Sequence, residues 1–69
     1  MMSVAKVSEI IASSPKSFDD AIKIGVVRAQ KTLRNLKSAW VESQQIKLDE
    51  KGQITEYRVQ LKVTFLIDD

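Results

Sequence analysis

The sequence predicts an α+β fold, a three-stranded antiparallel sheet wrapped on one helix in the order β-α-β-β. Three observations predict it. From Ile54 to Ile67 the chain alternates with hardly a break, with Tyr57, Val59, Leu61, Val63, Phe65 and Ile67 on one side and Glu56, Arg58, Gln60, Lys62 and Thr64 on the other. Only a half-buried strand segregates side chains with a period of two. Between Phe18 and Leu36 the apolar residues instead recur at steps of three and four, the spacing of one helix face. A short polar segment containing Gly52 joins Leu48 to Ile54 and so pairs the last two strands as a hairpin.

Taken in order, residues 3–11 form the first strand, ended by the Ser13-Ser14-Pro15 turn, because proline donates no ladder hydrogen bond. Ser17 followed three residues later by Asp20 resembles a capping box and opens a helix of about five turns over Phe18–Leu36. Its stripe is Phe18, Ile22, Val26, Ala29, Leu33 and Leu36, with Gly25 on or beside it. A glycine there sacrifices roughly 1 kcal/mol of helix propensity, a loss that close approach of the sheet explains. Asp19 and Asp20 sit at the start and Arg28, Lys31, Arg34 and Lys37 near the end, as the helix dipole favours.

The second strand, Ser38–Leu48, changes phase within itself. Ala39 and Val41 share one parity while Trp40, Ile46 and Leu48 share the other, which calls for a bulge or for burial on both faces by neighbouring subunits. Residues 49–53 are the hairpin loop, and Ile54–Ile67 is the third strand. At ~3.3 Å per residue that strand runs beyond about 40 Å, roughly twice the usual length.

Sixty-nine residues make one domain, residues 1–69, and a chain of this size buries only ~60 % of the surface it exposes when unfolded. The chain has no cysteine and no histidine, so neither a disulfide nor a zinc site of the usual composition can supplement so small a core. Self-association is the remaining route. The same absences remove Ser-His-Asp and Cys-His nucleophiles and redox thiols, so the chain does not read as an enzyme. The apolar runs Val4–Ile11 and Ile22–Val27 are too short to span a bilayer. No signal peptide is legible, and a cytoplasmic location is expected.

Net charge is +2, too small to imply a nucleic-acid partner. Arg28, Lys31, Arg34 and Lys37, with Lys23, could grip phosphate, but without interleaved aromatics they read as a solvated helix face. Asp49 to Gln53 lacks the spaced oxygen ligands of a calcium loop, although symmetry could assemble acids from several subunits into a cation site. Trp40, the single tryptophan, either fills an interface between subunits or offers a stacking platform to a flat aromatic ligand, with Arg58 across the hairpin as a hydrogen-bonding neighbour.

The β-α-β-β order, the segments Ser14-Pro15-x-Ser17-Phe18 and Val27-Arg28-Ala29-Gln30-Lys31-Thr32-Leu33, and the strand from Tyr57-Arg58-Val59 through Val63-Thr64-Phe65 together resemble the dodecin family over essentially the whole chain. The resemblance implies a hollow homododecamer whose curved sheets line the interior. It also implies flavin (riboflavin, FMN or FAD) held in pairs at subunit interfaces. Flavin-binding members carry a stacking tryptophan two residues after the leucine that closes the helix, where this chain has Ser38, and a glutamine after the strand-three tyrosine, where it has Arg58. Trp40 comes two residues late on the same strand parity. Some dodecin-like proteins lack that tryptophan and are associated with cations or with no known ligand.

The expected function is therefore storage or sequestration of a small ligand by a dodecin-like homododecamer. Its chamber is lined by Ser38, Trp40, Arg58 and Gln60, with flavin the ligand the family implies and a phosphate-bearing one suited to Arg58. The alternative is a flavin-free shell that binds a divalent cation or serves a structural role. Self is the expected partner; neither nucleic acid nor membrane is.

Overall fold

The structure, a computed structural model, describes residues 4–67. Ser3, expected to begin the first strand, lies outside them. The elements are β1 (Ala5–Ser14), α1 (Phe18–Thr32), β2 (Leu36–Leu48) and β3 (Ile54–Leu66), in the expected β-α-β-β order. The sheet order is β1-β3-β2 with both pairings antiparallel, so the strand that alternates most strictly is the central one. This placement explains its pattern: only a strand flanked on both sides has its alternate residues driven wholly under the helix. Val59, Leu61 and Val63 are buried there, whereas every residue of β2 after Leu36 is exposed.

The core is small, with Val59 and Leu61 of β3 closing on Ala21 of α1, and Ile10, Ala12, Phe18 and Ile22 packed around them. The helix does not press its largest apolar residues onto the sheet. The buried row is Ala21, Gly25 and Ala29, of which Ala29 alone belongs to the expected stripe, and Phe18, Ile22 and Val26 flank it half-buried. Small residues let the helix axis approach. A Cβ at Gly25 would stand 3.1 Å from both Ala12 Cβ and Leu61 Cδ1, so the expected close approach at this glycine is observed.

At its N-terminus Ser17 caps α1, its Oγ accepting from Asp20 N at 3.0 Å. The second half of the capping box differs from expectation, because the Asp20 carboxylate accepts from the buried Ser14 Oγ at 2.6 Å. Phe18 meets Tyr57 edge-on at 5.2 Å between centroids, a preferred aromatic geometry that anchors the first turn to the middle strand.

Several boundaries depart from the sequence reading, beginning with β1, which starts at Ala5 and leaves Val4 outside the strand. The helix ends at Thr32 rather than Leu36: Leu33 is its C-cap in an extended conformation, and Asn35 takes the left-handed φ of 57° that turns the chain back. Leu36 instead becomes the first rung of β2, opposite Phe65. Its helical spacing was real but coincidental, since a leucine can be buried either way. β1 runs to Ser14, not residue 11, because Ala12, Ser13 and Ser14 pair with Val59, Arg58 and Tyr57 through a backbone ladder that is indifferent to the small side chains it carries. β3 stops at Leu66, one residue short of Ile67.

The phase change in β2 is a bulge. The register slips between Val41 and Ser43, leaving Glu42 without a partner on β3, and slips again at Leu36/Ser38 and Lys47/Leu48. Ala39, Val41 and Ile46 thereby share the helix side in spite of their opposite parity. The hairpin loop closes as expected, with Gly52 at φ 81° and Asp49 Oδ1 accepting from Lys51 N and Gln53 N. The β2–β3 ribbon gives the subunit its length of 55 Å against a thickness of 14 Å.

Candidate functional site

Alternation on β3 aims Glu56, Arg58, Gln60, Lys62 and Thr64 away from the helix, and the register assembles neighbours for each on the same face. Thr64 lies between Val7 and Ser38, Lys62 between Glu9 and Trp40, Gln60 between Ile11 and Ser43, and Arg58 between Ser13 and Gln45. All four residues expected to line the chamber, Ser38, Trp40, Arg58 and Gln60, thus lie on this one face.

They do not form one cluster within a subunit. Trp40 belongs to the Lys62 rung and Arg58 to a rung four residues further along β3, roughly 13 Å at the usual strand rise. The expectation that Arg58 is the hydrogen-bonding neighbour of Trp40 is therefore corrected. The bulge and the hairpin register put Gln45 opposite Arg58, and Arg58 Nη2 turns to Glu56 at 2.8 Å. Its Nε is buried and has no acceptor among the described residues. Gln60 is taken up by a cross-sheet chain in which its amide donates to Glu9 while its carbonyl accepts from Ser43 Oγ at 3.2 Å.

Trp40 is 45 % exposed and has partners that the sequence reading did not name. Its Nε1 donates to Glu42 Oε2 at 3.3 Å, and Lys62 Nζ stands 5.9 Å from its ring centroid, over one face. Lys62 Nζ also lies 3.6 Å from Glu42 Oε2. The bulge gives Glu42 the freedom to reach both. Lys62 could have been found from sequence only by knowing the register, since it lies more than twenty positions from Trp40.

Trp40, Arg58 and Gln60 border none of the larger clefts of one chain. These lie around the helix: one of about 690 Å³ is bounded by Gln30 to Leu36, and one of about 600 Å³ runs between α1 and β1 past Ile10, Ile24 and Gly25. Ser38 borders a minor cleft of about 140 Å³ with Val26 and Gln30. No group of three or more potential metal-ligating side chains occurs among the described residues. The basic stripe is also broken up, because only Lys23, Arg28 and Lys31 lie on α1, whereas Arg34 is in the turn and Lys37 is on β2. No helix among the described residues is long and apolar enough to cross a membrane.

Comparison with known proteins agrees with this architecture. The profile of the dodecin family matches residues 4–68. The chain belongs to the dodecin family. Among curated relatives, a calcium dodecin of Mycobacterium tuberculosis is 41 % identical over 64 residues, 93 % of this chain and 89 % of the relative. Among solved structures, the dodecin from Streptomyces davaonensis superposes with a TM-score of 0.91 at 36 % identity, covering 97 % of both chains. A calcium dodecin from Mycobacterium tuberculosis, solved with a calcium-binding site, superposes with a TM-score of 0.81 at 35 % identity, covering 94 % of this chain and 91 % of that one. The β-α-β-β fold with its long β2–β3 ribbon is the fold of the solved dodecins it superposes on.

Proposed function

We propose that this dodecin assembles into a closed homododecameric shell that stores or sequesters a small planar ligand of the flavin class against the polar sheet face. It acts as a binding protein of the cytoplasm, not as an enzyme. The observation that carries the ligand is Trp40, an aromatic plate open on the face away from the helix and held in place by Glu42 and Lys62. Ser38 and Gln60, on neighbouring rungs of the same face, supply hydrogen-bonding groups to the rim of a flat ring.

Self-association is supported by what the fold leaves uncovered. Val41, Ile46, Leu48 and Ile54 stand exposed along the β2–β3 ribbon, and Val7 and Ile11 stand exposed on β1. So much apolar surface on so small a body is an interface signature. Binding sites are concave, and the larger clefts of one chain lie around the helix rather than at Trp40, so a second copy is what would close a pocket here. Such a copy can set its Arg58 beside the first subunit's Trp40, giving the buried Nε an acceptor on a phosphate-bearing ligand such as FMN or FAD.

A second reading, a shell that holds divalent cations, is favoured by the 41 % identity to a calcium dodecin. Its ligands would have to come from several subunits, because Glu9, Glu42 and Glu56 are each engaged within their own chain. One experiment separates the two. Purified protein is sized by light scattering and titrated with riboflavin and FMN, with flavin fluorescence as the readout, before and after chelation. Quenching by an intact oligomer supports the flavin reading. An unquenched oligomer that loses metal, or mass, on chelation supports the cation reading instead. A lone folded subunit would remove both.

A further inference from the structure

The rung that carries Trp40 has a carboxylate from each outer strand and one ammonium from the centre. Glu9 is contributed by β1, Lys62 by β3, and Trp40 with the bulged Glu42 by β2. Without Lys62 this patch would hold two carboxylates beside an exposed aromatic face, a surface of net negative charge made of the hard oxygen donors that calcium and magnesium prefer. With Lys62 the chain supplies its own cation. The ammonium is 3.6 Å from Glu42 and over the indole at 5.9 Å; the Lys62 side chain is 30 % exposed and that of Glu42 41 %.

We propose that Lys62 is a tethered counter-ion that keeps divalent cations off the Trp40 rung and so leaves that face to a planar, uncharged or anionic ligand. A free dication approaching Glu42 meets an ammonium already at Oε2, and like-charge repulsion opposes its approach at this range. On the aromatic side, an ammonium on one face of the indole disfavours a second cation on the other through the same quadrupole and leaves it open to a neutral or electron-rich ring. Glu42 is the positioning residue, since it accepts the indole N–H and holds Lys62 at once. The bulge at Val41/Ser43 is what frees Glu42 from the ladder for this role.

The inference deepens the flavin-class reading and rests on it for the identity of the ligand, but cation exclusion can be read without any flavin. Trp40 is the only tryptophan, so intrinsic emission reports on this rung alone. Wild type, K62R, K62Q and K62M are first matched for oligomer mass, then titrated with calcium chloride while tryptophan emission is followed, and separately with riboflavin. The expected result is a calcium response in K62Q and K62M at concentrations about ten-fold or more below any response in wild type or K62R, as suits removal of the one cation that faces Glu42 on this rung. Adding E42Q to K62Q should abolish that response. Calcium curves that coincide in all four proteins, including flat ones, overturn the role of Lys62. If riboflavin fails to bind while the calcium difference persists, the flavin-class reading falls and the exclusion of cations by Lys62 stands. With two neutral variants, misfolding of either leaves the other to decide.

Discussion

Ser14 Oγ donates a 2.6 Å hydrogen bond to Asp20 Oδ2, fastening the last residue of β1 to the first turn of α1. The same oxygen accepts from Lys16 N at 2.9 Å, so one buried hydroxyl both shapes the turn around Pro15 and fixes the angle at which the helix starts. Replacing it by alanine leaves Asp20 facing a part-buried gap. S14A should destabilise the protein by about 1–2 kcal/mol, measured by urea unfolding at fixed protein concentration. Asp20→Asn, which keeps an acceptor oxygen, should cost less.

The contact between α1 and the sheet at Gly25 gives a second prediction. Ala12 Cβ is fixed to its backbone and Leu61 is buried, so neither can retreat far from a new side chain at 3.1 Å. G25V should overpack the site and destabilise by about 2 kcal/mol or more, at the upper part of the range for such changes, despite replacing a poor helix former. A variant as stable as wild type in thermal unfolding would mean that the helix can lift off the sheet without loss.

Self-association should depend on the uncovered ribbon. Leu48 and Ile54 pair across the end of the β2–β3 hairpin and are 56 % and 47 % exposed. The double variant L48E/I54E should keep its strand and helix signature in circular dichroism yet shift to smaller species in light scattering. Introducing charge into a surface that must become dry costs several kcal/mol per contact when left unpaired. An unchanged mass would exclude this end of the hairpin from the interface.

For the proposed flavin site, W40A should weaken riboflavin binding by about ten-fold or more, as expected for loss of one stacking plate. R58Q should act differently. Removing the guanidinium should leave riboflavin binding within a few-fold and erase any preference for FMN, because only the phosphate-bearing ligand has a use for that charge. Flavin fluorescence titrations of the two variants side by side check both statements. Equal loss of riboflavin and FMN in R58Q would place Arg58 against the ring rather than the phosphate.

Local patterning determined a great deal. The alternation from Ile54, the Ser17 cap and Gly52 specify a strand, a helix start and a turn by rules that act over a few residues, and each is found in the structure. The family was legible for the same reason, through the segments around Pro15, Arg28 and Tyr57. What local rules do not contain is which distant backbone offers a partner. Leu36 satisfied helical spacing yet became a strand rung because Phe65 was there to meet it, and Ser13 and Ser14 joined β1 because β3 presented free backbone groups to them. The setting of Trp40 was decided in the same way. Its parity placed it on the polar face, but only the register with β3 and the slip beside Glu42 brought Lys62 to its ring and carried Arg58 away from it. Strand register is a property of the paired chains together, set by bulges and turn geometry summed over the whole ribbon, and no window of sequence shorter than that ribbon holds it.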